Sequence, residues 1–157
     1  MAVNELRFAV EDLYSEYVEC LDEGELELWP QLFTDPCLYK IIPRENFERG
    51  LPLALMLCES RGMLEDRVAA LRRTSVYAPR AFRHLLSNIH IKGEHDGVIG
   101  VQANYAVLQT QLDEETRVFN AGKYIDKLVR ENERLKFKER LCVFDSVLVP
   151  GSLIYPI

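Results

Sequence analysis

Val98-Ile99-Gly100-Val101-Gln102-Ala103-Asn104-Tyr105-Ala106-Val107 is the stretch from which the fold can be worked out. Ile99, Val101, Ala103, Tyr105 and Val107 share one parity, while Gln102 and Asn104 fall on the other. Strict alternation marks a half-buried strand, and here it predicts one over residues 98–112. Immediately before it stands Glu94-His95-Asp96-Gly97, and an Asp-Gly pair is favoured in two-residue hairpin turns. Residues 82–92 are therefore expected to form the neighbouring strand. On the other side Asp113 and Glu114 turn the chain into a strand over residues 117–130, with a last strand over 135–149. In that last strand Leu135, Phe137, Leu141, Val143, Val147 and Val149 share a parity, interrupted by Glu139 and Asp145.

Upstream the period changes. Over residues 4–21, Leu6, Val10, Leu13, Tyr14, Tyr17 and Leu21 recur at spacings of three and four, the stripe of an amphipathic helix. Gly24 stands where a helix stop is expected. Asp22 and Glu25 have capping-box spacing for a short second helix carrying Trp29, Leu32 and Phe33, with Pro30 tolerable only in its first turn. A turn at Asp35-Pro36 leads into a strand over 37–42 that Pro43 ends, and 44–50 reads as a polar loop closed by Gly50. Residues 53–58 fit a strand or a helix start. Residues 63–73 predict a helix with Met63, Val68 and Leu71 on one side and Glu65, Asp66, Arg72 and Arg73 mostly opposite.

Helices followed by long strands on short turns predict an α+β fold, a mostly antiparallel sheet with helices packed on one face. The strands exceed the usual ~5–6 residues, so the sheet must coil strongly, with bends expected near Gly100 and Gly122. A coiled sheet wrapped on helices is a cone, of the cystatin-like, nuclear-transport-factor-2-like kind. At 157 residues the chain has the length of one domain, residues 1–157.

Composition narrows the function. A net charge of −6 argues against a nucleic-acid partner, which calls for a basic face. Lys and Arg crowd between Lys127 and Arg140, but Asp126, Glu131, Glu133 and Glu139 interleave with them, so a solvated strand face is expected there. The longest apolar run, residues 51–58, is interrupted by Pro52 and falls far short of the ~20 residues of a membrane span. With no secretory signal in view, the chain is expected to be cytoplasmic and Cys20, Cys37, Cys58 and Cys142 to be reduced, buried thiols.

Motifs narrow the chemistry in the same way. No cysteine is followed two or three residues later by a histidine, and no Cys-x2-Cys, HExxH, P-loop or GxGxxG occurs. His90, His95 and Asp96 have the composition of a two-histidine, one-carboxylate iron site, but they span a strand end and a turn tip with Lys92 between. No catalytic, cofactor-binding or metal-binding residue is therefore expected. One alternative is a stand-alone dehydratase or isomerase in which His84 transfers protons with Tyr14, Tyr17 and Asp35 as partners. Residues 43–50 combine two arginines, two acids and an aromatic in one segment, the types that anchor interfaces. Residues 152–157 are apolar enough to be expected to dock on a surface, the chain's own or a neighbour's.

An ordered series of short motifs resembles a known family. Trp29-Pro30-x-x-Phe33-Thr34, Pro43-Arg44-Glu45-Asn46-x-Glu48-Arg49-Gly50 and Met63-Leu64-x-Asp66-Arg67 open it. Arg83-His84-x-x-Ser87-Asn88, Phe119-x-Ala121-Gly122-x-Tyr124 and Arg140-x-Cys142-Val143-x-Asp145-Ser146 follow. Together they resemble the small (β) subunits of aromatic-ring-hydroxylating dioxygenases, in appearance those of salicylate 5-hydroxylase, terephthalate and anthranilate type. The resemblance implies a mainly structural subunit with no catalytic residue of its own. It implies a large α partner holding a Rieske [2Fe-2S] cluster and mononuclear Fe(II), an α3β3 hexamer, and electrons from a reductase, sometimes through a ferredoxin. The expected interface residues are Trp29, Arg44, Glu45, Arg49, Tyr155 and Ile157.

Overall fold

A computed structural model describes residues 3–73, 79–146 and 154–157. Helix α1 (Val3–Asp22) buries Val10, Leu13, Tyr14, Tyr17, Cys20 and Leu21, the stripe its spacing predicts. Its last residue, Asp22, does not cap a second helix; its carboxylate is taken up by His84, 62 residues away. The expected second helix is a single 3-10 turn, Trp29–Leu32, with Pro30 in its first turn, and Phe33 already opens strand β1 (Phe33–Pro43). A short helix α2 (Arg44–Glu48) occupies the segment read as a loop; Pro43 sets its entry, and Gly50, at φ +66°, lets the chain turn away. Strand β2 (Met56–Cys58), helix α3 (Arg61–Arg73), and strands β3 (Arg80–His95), β4 (Val98–Gln111), β5 (Arg117–Glu131) and β6 (Arg134–Phe144) follow. In α3 the buried face is Leu64, Val68 and Leu71, one position on from the Met63 side expected from the sequence. Positions 147–149 of the expected last strand lie outside the described residues.

The six strands form one sheet in the order β2-β1-β6-β5-β4-β3. All pairs are antiparallel except β1 with β6. The Asp96-Gly97 turn has both residues at positive φ (49° and 76°), as the two-residue hairpin requires. Asn132-Glu133 does the same between β5 and β6, at 51° and 65°. On β4, Ile99, Val101, Ala103, Tyr105 and Val107 are all buried, so the alternation in the sequence is the alternation of the folded strand. The sheet wraps α1 and forms the expected cone.

What bends the sheet is a set of register shifts. They lie between Phe33 and Leu38 on β1, between Ser87 and His90 and between Ile91 and Gly93 on β3, between Val107 and Leu108 on β4, and between Lys127 and Leu128 on β5. An extra residue in one strand kinks it and strengthens its twist. It also shifts the parity of the positions that point inward. Opposite β5, Phe137 pairs Leu128 and Glu139 pairs Lys127, so Lys138 is the extra residue. Beyond it the inward positions become Arg140, Cys142 and Phe144, not the Leu141 and Val143 expected from simple parity. Val143 is buried too, on the other face beside Ile42.

The two glycines differ in what they do. A Cβ on Gly100 would meet nothing nearer than Lys92 Cβ at 3.6 Å. A Cβ on Gly122 would overlap the Val143 carbonyl and lie 2.7 Å from Phe144 Cα. Gly122→Ala is expected to destabilise the chain by about 1–3 kcal/mol through overpacking, and Gly100→Ala by well under that. Urea unfolding of the two variants side by side checks the contrast.

Candidate functional site

The inner face of the cone holds a charge pair. Asp126 on β5 and Arg140 on β6 are 2 % and 0 % exposed, against the solvated face expected for this segment. Their bond is two-pronged, Arg140 Nε to Asp126 Oδ1 at 3.0 Å and Nη2 to Oδ2 at 2.7 Å. The Tyr14 hydroxyl donates to the same carboxylate. The guanidinium is enclosed by rings, its Cζ 3.8 Å from the centre of Tyr124, 4.1 Å from Tyr17 and Phe137, and 4.7 Å from Tyr14. Tyr105 stacks on Tyr124 at 4.3 Å and donates to Asn120 at 2.6 Å.

Burial opposes charge on both partners, and the outcomes differ. It raises the Asp126 carboxyl, with Arg140 and Tyr14 pulling the other way. At Arg140 burial is overcome by the carboxylate, and the guanidinium is held well above its ordinary value. The pair is ionised, because a guanidinium does not give up its proton in proteins and three donors converge on the carboxylate. Burial first, then the charge of Asp126, also raises the Tyr14 hydroxyl, and burial raises Tyr17. Both phenols are engaged as hydrogen-bond donors, Tyr14 to Asp126 and Tyr17 to the main-chain oxygen of Ile157.

The residues of the dehydratase alternative are not brought together. His84 Nδ1 lies 2.6 Å from Asp22 Oδ1, and its backbone N–H donates to Asp22 Oδ2 at 3.0 Å. Tyr14 belongs to Asp126, Tyr17 to the main-chain oxygen of Ile157 at 2.5 Å, and Asp35 to the backbone N–H of Arg61 at 3.3 Å. His84 thus ties strand β3 to the end of α1. The carboxylate at Nδ1 places the ring proton there, and the buried Nε2 has no hydrogen-bond partner.

The expected interface residues separate into two groups. Trp29 and Ile157 are fully buried within the chain. Trp29 packs edge-on against Phe33 and Tyr39, with centroids 5.9 and 5.0 Å apart. Both side chains pack in the core of this chain. Tyr155 is half-buried, its ring 5.0 Å from Phe82 with Arg80 Cζ 5.7 Å from its centre. Residues 154–157 therefore dock on the chain's own surface; 152 and 153 lie outside the described residues. Arg44, Glu45 and Arg49 are exposed on and after α2, with Arg44 3.4 Å from Asp145 and Arg49 3.0 Å from Glu45. Arg44, Glu45, Asn46, Leu55, Phe144 and Asp145 help line an open groove of about 470 Å³. Beside it Leu51, Leu53, Leu55 and Leu57 are exposed, Leu53 at 74 %. In the sequence their odd spacing is visible as part of an apolar run, not as a surface.

Among the described residues no group of three or more His, Cys, Asp or Glu could hold a metal ion. His90 sits beside Lys92 at 3.2 Å, and His95 pairs with Asp96 in solvent. Nor is any described helix long and apolar enough to cross a membrane. The four thiols are buried and free. Burial pushes Cys20 and Cys142 up to about 12 and Cys37 up to about 11, and it raises Cys58.

Two expectations follow from these environments. Asp126→Leu or Arg140→Met alone leaves a buried charge without its partner and is expected to cost about 3–5 kcal/mol. An Asp126→Leu/Arg140→Met double variant should lose less than the two single losses combined, in a urea-unfolding cycle. At pH 8 a thiol reagent is expected to titrate all four cysteines in denaturant, and to react far more slowly with the native chain, because the thiolate is the reacting form.

Comparison with known proteins places this architecture. Residues 17–150 match the model of the family described as the ring hydroxylating beta subunit. The anthranilate 1,2-dioxygenase small subunit of Burkholderia cepacia is 38% identical over 150 residues, covering 96% of this chain and 93% of that protein. Subunit beta 1 of the terephthalate 1,2-dioxygenase terminal oxygenase component, from Comamonas sp, is 29% identical over 99% of both chains. A crystal structure from Novosphingobium aromaticivorans, described as the beta subunit of a candidate aromatic-ring-hydroxylating dioxygenase, superposes with a TM-score of 0.91 at 40% identity and covers 100% of each chain. The chain belongs to the ring-hydroxylating beta subunit family.

Proposed function

We propose that the chain is the small, mainly structural subunit of the terminal oxygenase of a multicomponent Rieske system that hydroxylates an aromatic carboxylate in the cytoplasm. The observation that carries this reading is the likeness, along 96% of the chain, to a protein named as an anthranilate dioxygenase small subunit. The side chains support it: the inner acid–base groups are bonded to one another, and His84 holds α1 to β3. The large α subunit carries the Rieske [2Fe-2S] cluster and the mononuclear Fe(II) in an α3β3 hexamer, and a reductase, with or without a ferredoxin, supplies the electrons. Arg44, Glu45 and Arg49, with the ridge Leu51, Leu53, Leu55 and Leu57, face the large subunit. An exposed apolar ridge of this kind marks an interaction surface.

Co-expression with a large Rieske subunit tests the assignment. The expected outcome is a chain inactive alone and ring hydroxylation only in a co-purifying complex. Proton-transfer activity of the lone chain, lost in His84→Ala, would overturn it. Arg44→Glu is expected to weaken assembly by about 2–5 kcal/mol. Its effect on the isolated fold should stay within about 1 kcal/mol, because the Asp145 pair is half in solvent. Hexamer yield by size-exclusion chromatography, with melting of the lone chain as control, checks both.

A further inference from the structure

The exposed leucines of the ridge are held in place by main-chain bonds. The Leu51 N–H donates to the Asn46 main-chain oxygen at 2.8 Å, and Asn46 Nδ2 donates to the Leu53 oxygen at 2.9 Å. The Leu55 N–H donates to the Ile41 oxygen at 2.8 Å. On β2, Met56 and Cys58 are buried and Leu57 between them is 42 % exposed. That strand stands last in the sheet order, so among the described residues no strand lies beyond it. Leu51, Leu53, Leu55 and Leu57 are thus presented to solvent by a backbone that is already ordered. Such a surface has little freedom left to lose on binding.

Internal pairing decides the charge beside the ridge. Arg44 is answered by Asp145 at 3.4 Å, and Arg49 by Glu45 at 3.0 Å. Glu48 is exposed and lines the same groove of about 470 Å³. Of the groove's charged residues it is the one without an ionic partner among the described residues. Two arginines make this face look basic, yet the charge left over is a carboxylate. Leu55 belongs to both the ridge and the groove, so the apolar strip runs into the groove that Glu48 lines.

We propose that this strip docks a segment of the large subunit that carries apolar side chains next to a lysine or arginine. The apolar side chains cover the leucine ridge, and the cation enters the groove to meet Glu48. The inference rests on the subunit reading and deepens it by giving the chemistry of the partner's segment. Charge selects such a partner over a second copy of this chain. A second copy has a net charge of −6, and in a two-fold contact it brings the same unpaired Glu48 to the face. Arg44 acts on assembly through the groove wall, because a glutamate in its place stands beside Asp145 as a like charge.

Competition for one large Rieske subunit tests this. Wild-type and variant chains with different tags are co-expressed with it, and mass spectrometry of the purified complex gives the share of each. Each share is corrected for the soluble amount of that chain. Glu48→Asp should keep its share, Glu48→Gln should lose about threefold and Glu48→Lys about tenfold or more. Leu53→Asp should lose about tenfold or more by removing an apolar contact. Glu114→Lys, an exposed reversal in the β4–β5 turn, should compete equally with wild type. That graded response to charge at residue 48 is what a merely structural role would not give. Equal incorporation of Glu48→Lys and wild type overturns the proposal and leaves the subunit reading standing, whatever Leu53→Asp does. Self-association of the lone chain that Leu53→Asp abolishes, with its incorporation unchanged, assigns the ridge to a second copy and also overturns it. Failure of the wild-type chain to enter any complex sinks the subunit reading itself, and the inference with it.

Discussion

The contact between Arg140 and Asp126 is the constraint on which the rest of the inner face depends. A guanidinium and a carboxylate removed from water each carry a desolvation cost of several kcal/mol, which excellent geometry and further hydrogen bonds must offset. Here a two-pronged bond, the Tyr14 hydroxyl and four ring faces do so. These groups come from α1, β5 and β6, so satisfying one charge fixes three elements relative to one another. The edge-on and tilted contacts among Tyr14, Tyr17, Tyr124 and Phe137 follow from that single demand.

Much of the fold is legible in the sequence, because period and turn chemistry are local. The β4 alternation, the Asp96-Gly97 hairpin and the α1 stripe each depend on neighbours within a turn or a strand. The parity of β6 is not legible in this way. Leu135, Phe137, Leu141 and Val143 look like one face until Lys138 is known to bulge, and a bulge is decided by the partner strand. Asp126 carries a usable signal: it shares parity with Tyr124 and Leu128, both buried. Its position in a run of alternating charges makes it look like solvent-facing surface. Met63 against Leu64 is a smaller case, an error of one position in a helix whose polar and apolar residues mix.

The site is legible as an absence of ligand sets and as a series of motifs, not as geometry. Arg140, Cys142 and Tyr124 stand in those motifs, but their shared environment is formed by residues far apart in sequence. Asp22 shows the same limit. Beside Gly24 it reads as a helix cap, and only the arrival of β3 gives its carboxylate to His84. The surface residues Arg44, Glu45 and Arg49 can be picked out because their segment, Phe47 aside, is polar. Asp126 and Arg140 are instead charges with apolar residues close by, Ile125 and Leu128 for one, Leu141 and Cys142 for the other. Residue type leaves Trp29 open, because an aromatic suited to an interface is equally suited to a core, where it packs.

The bulge at Lys138 has a further consequence for how such a chain can change. In a regular strand the loss of one residue turns every later side chain to the opposite face. Removing Lys138 would not, because Phe137 would then be followed by Glu139 outward and Arg140 inward, an unbroken alternation. What would go is the kink, so the guanidinium would keep its side of the sheet while the strand carrying it straightened. Curvature and facing are thus separable at this one position of β6. A change of length here reshapes the cone around an unaltered set of inward residues, whereas the same change at Leu141 would exchange the lining itself.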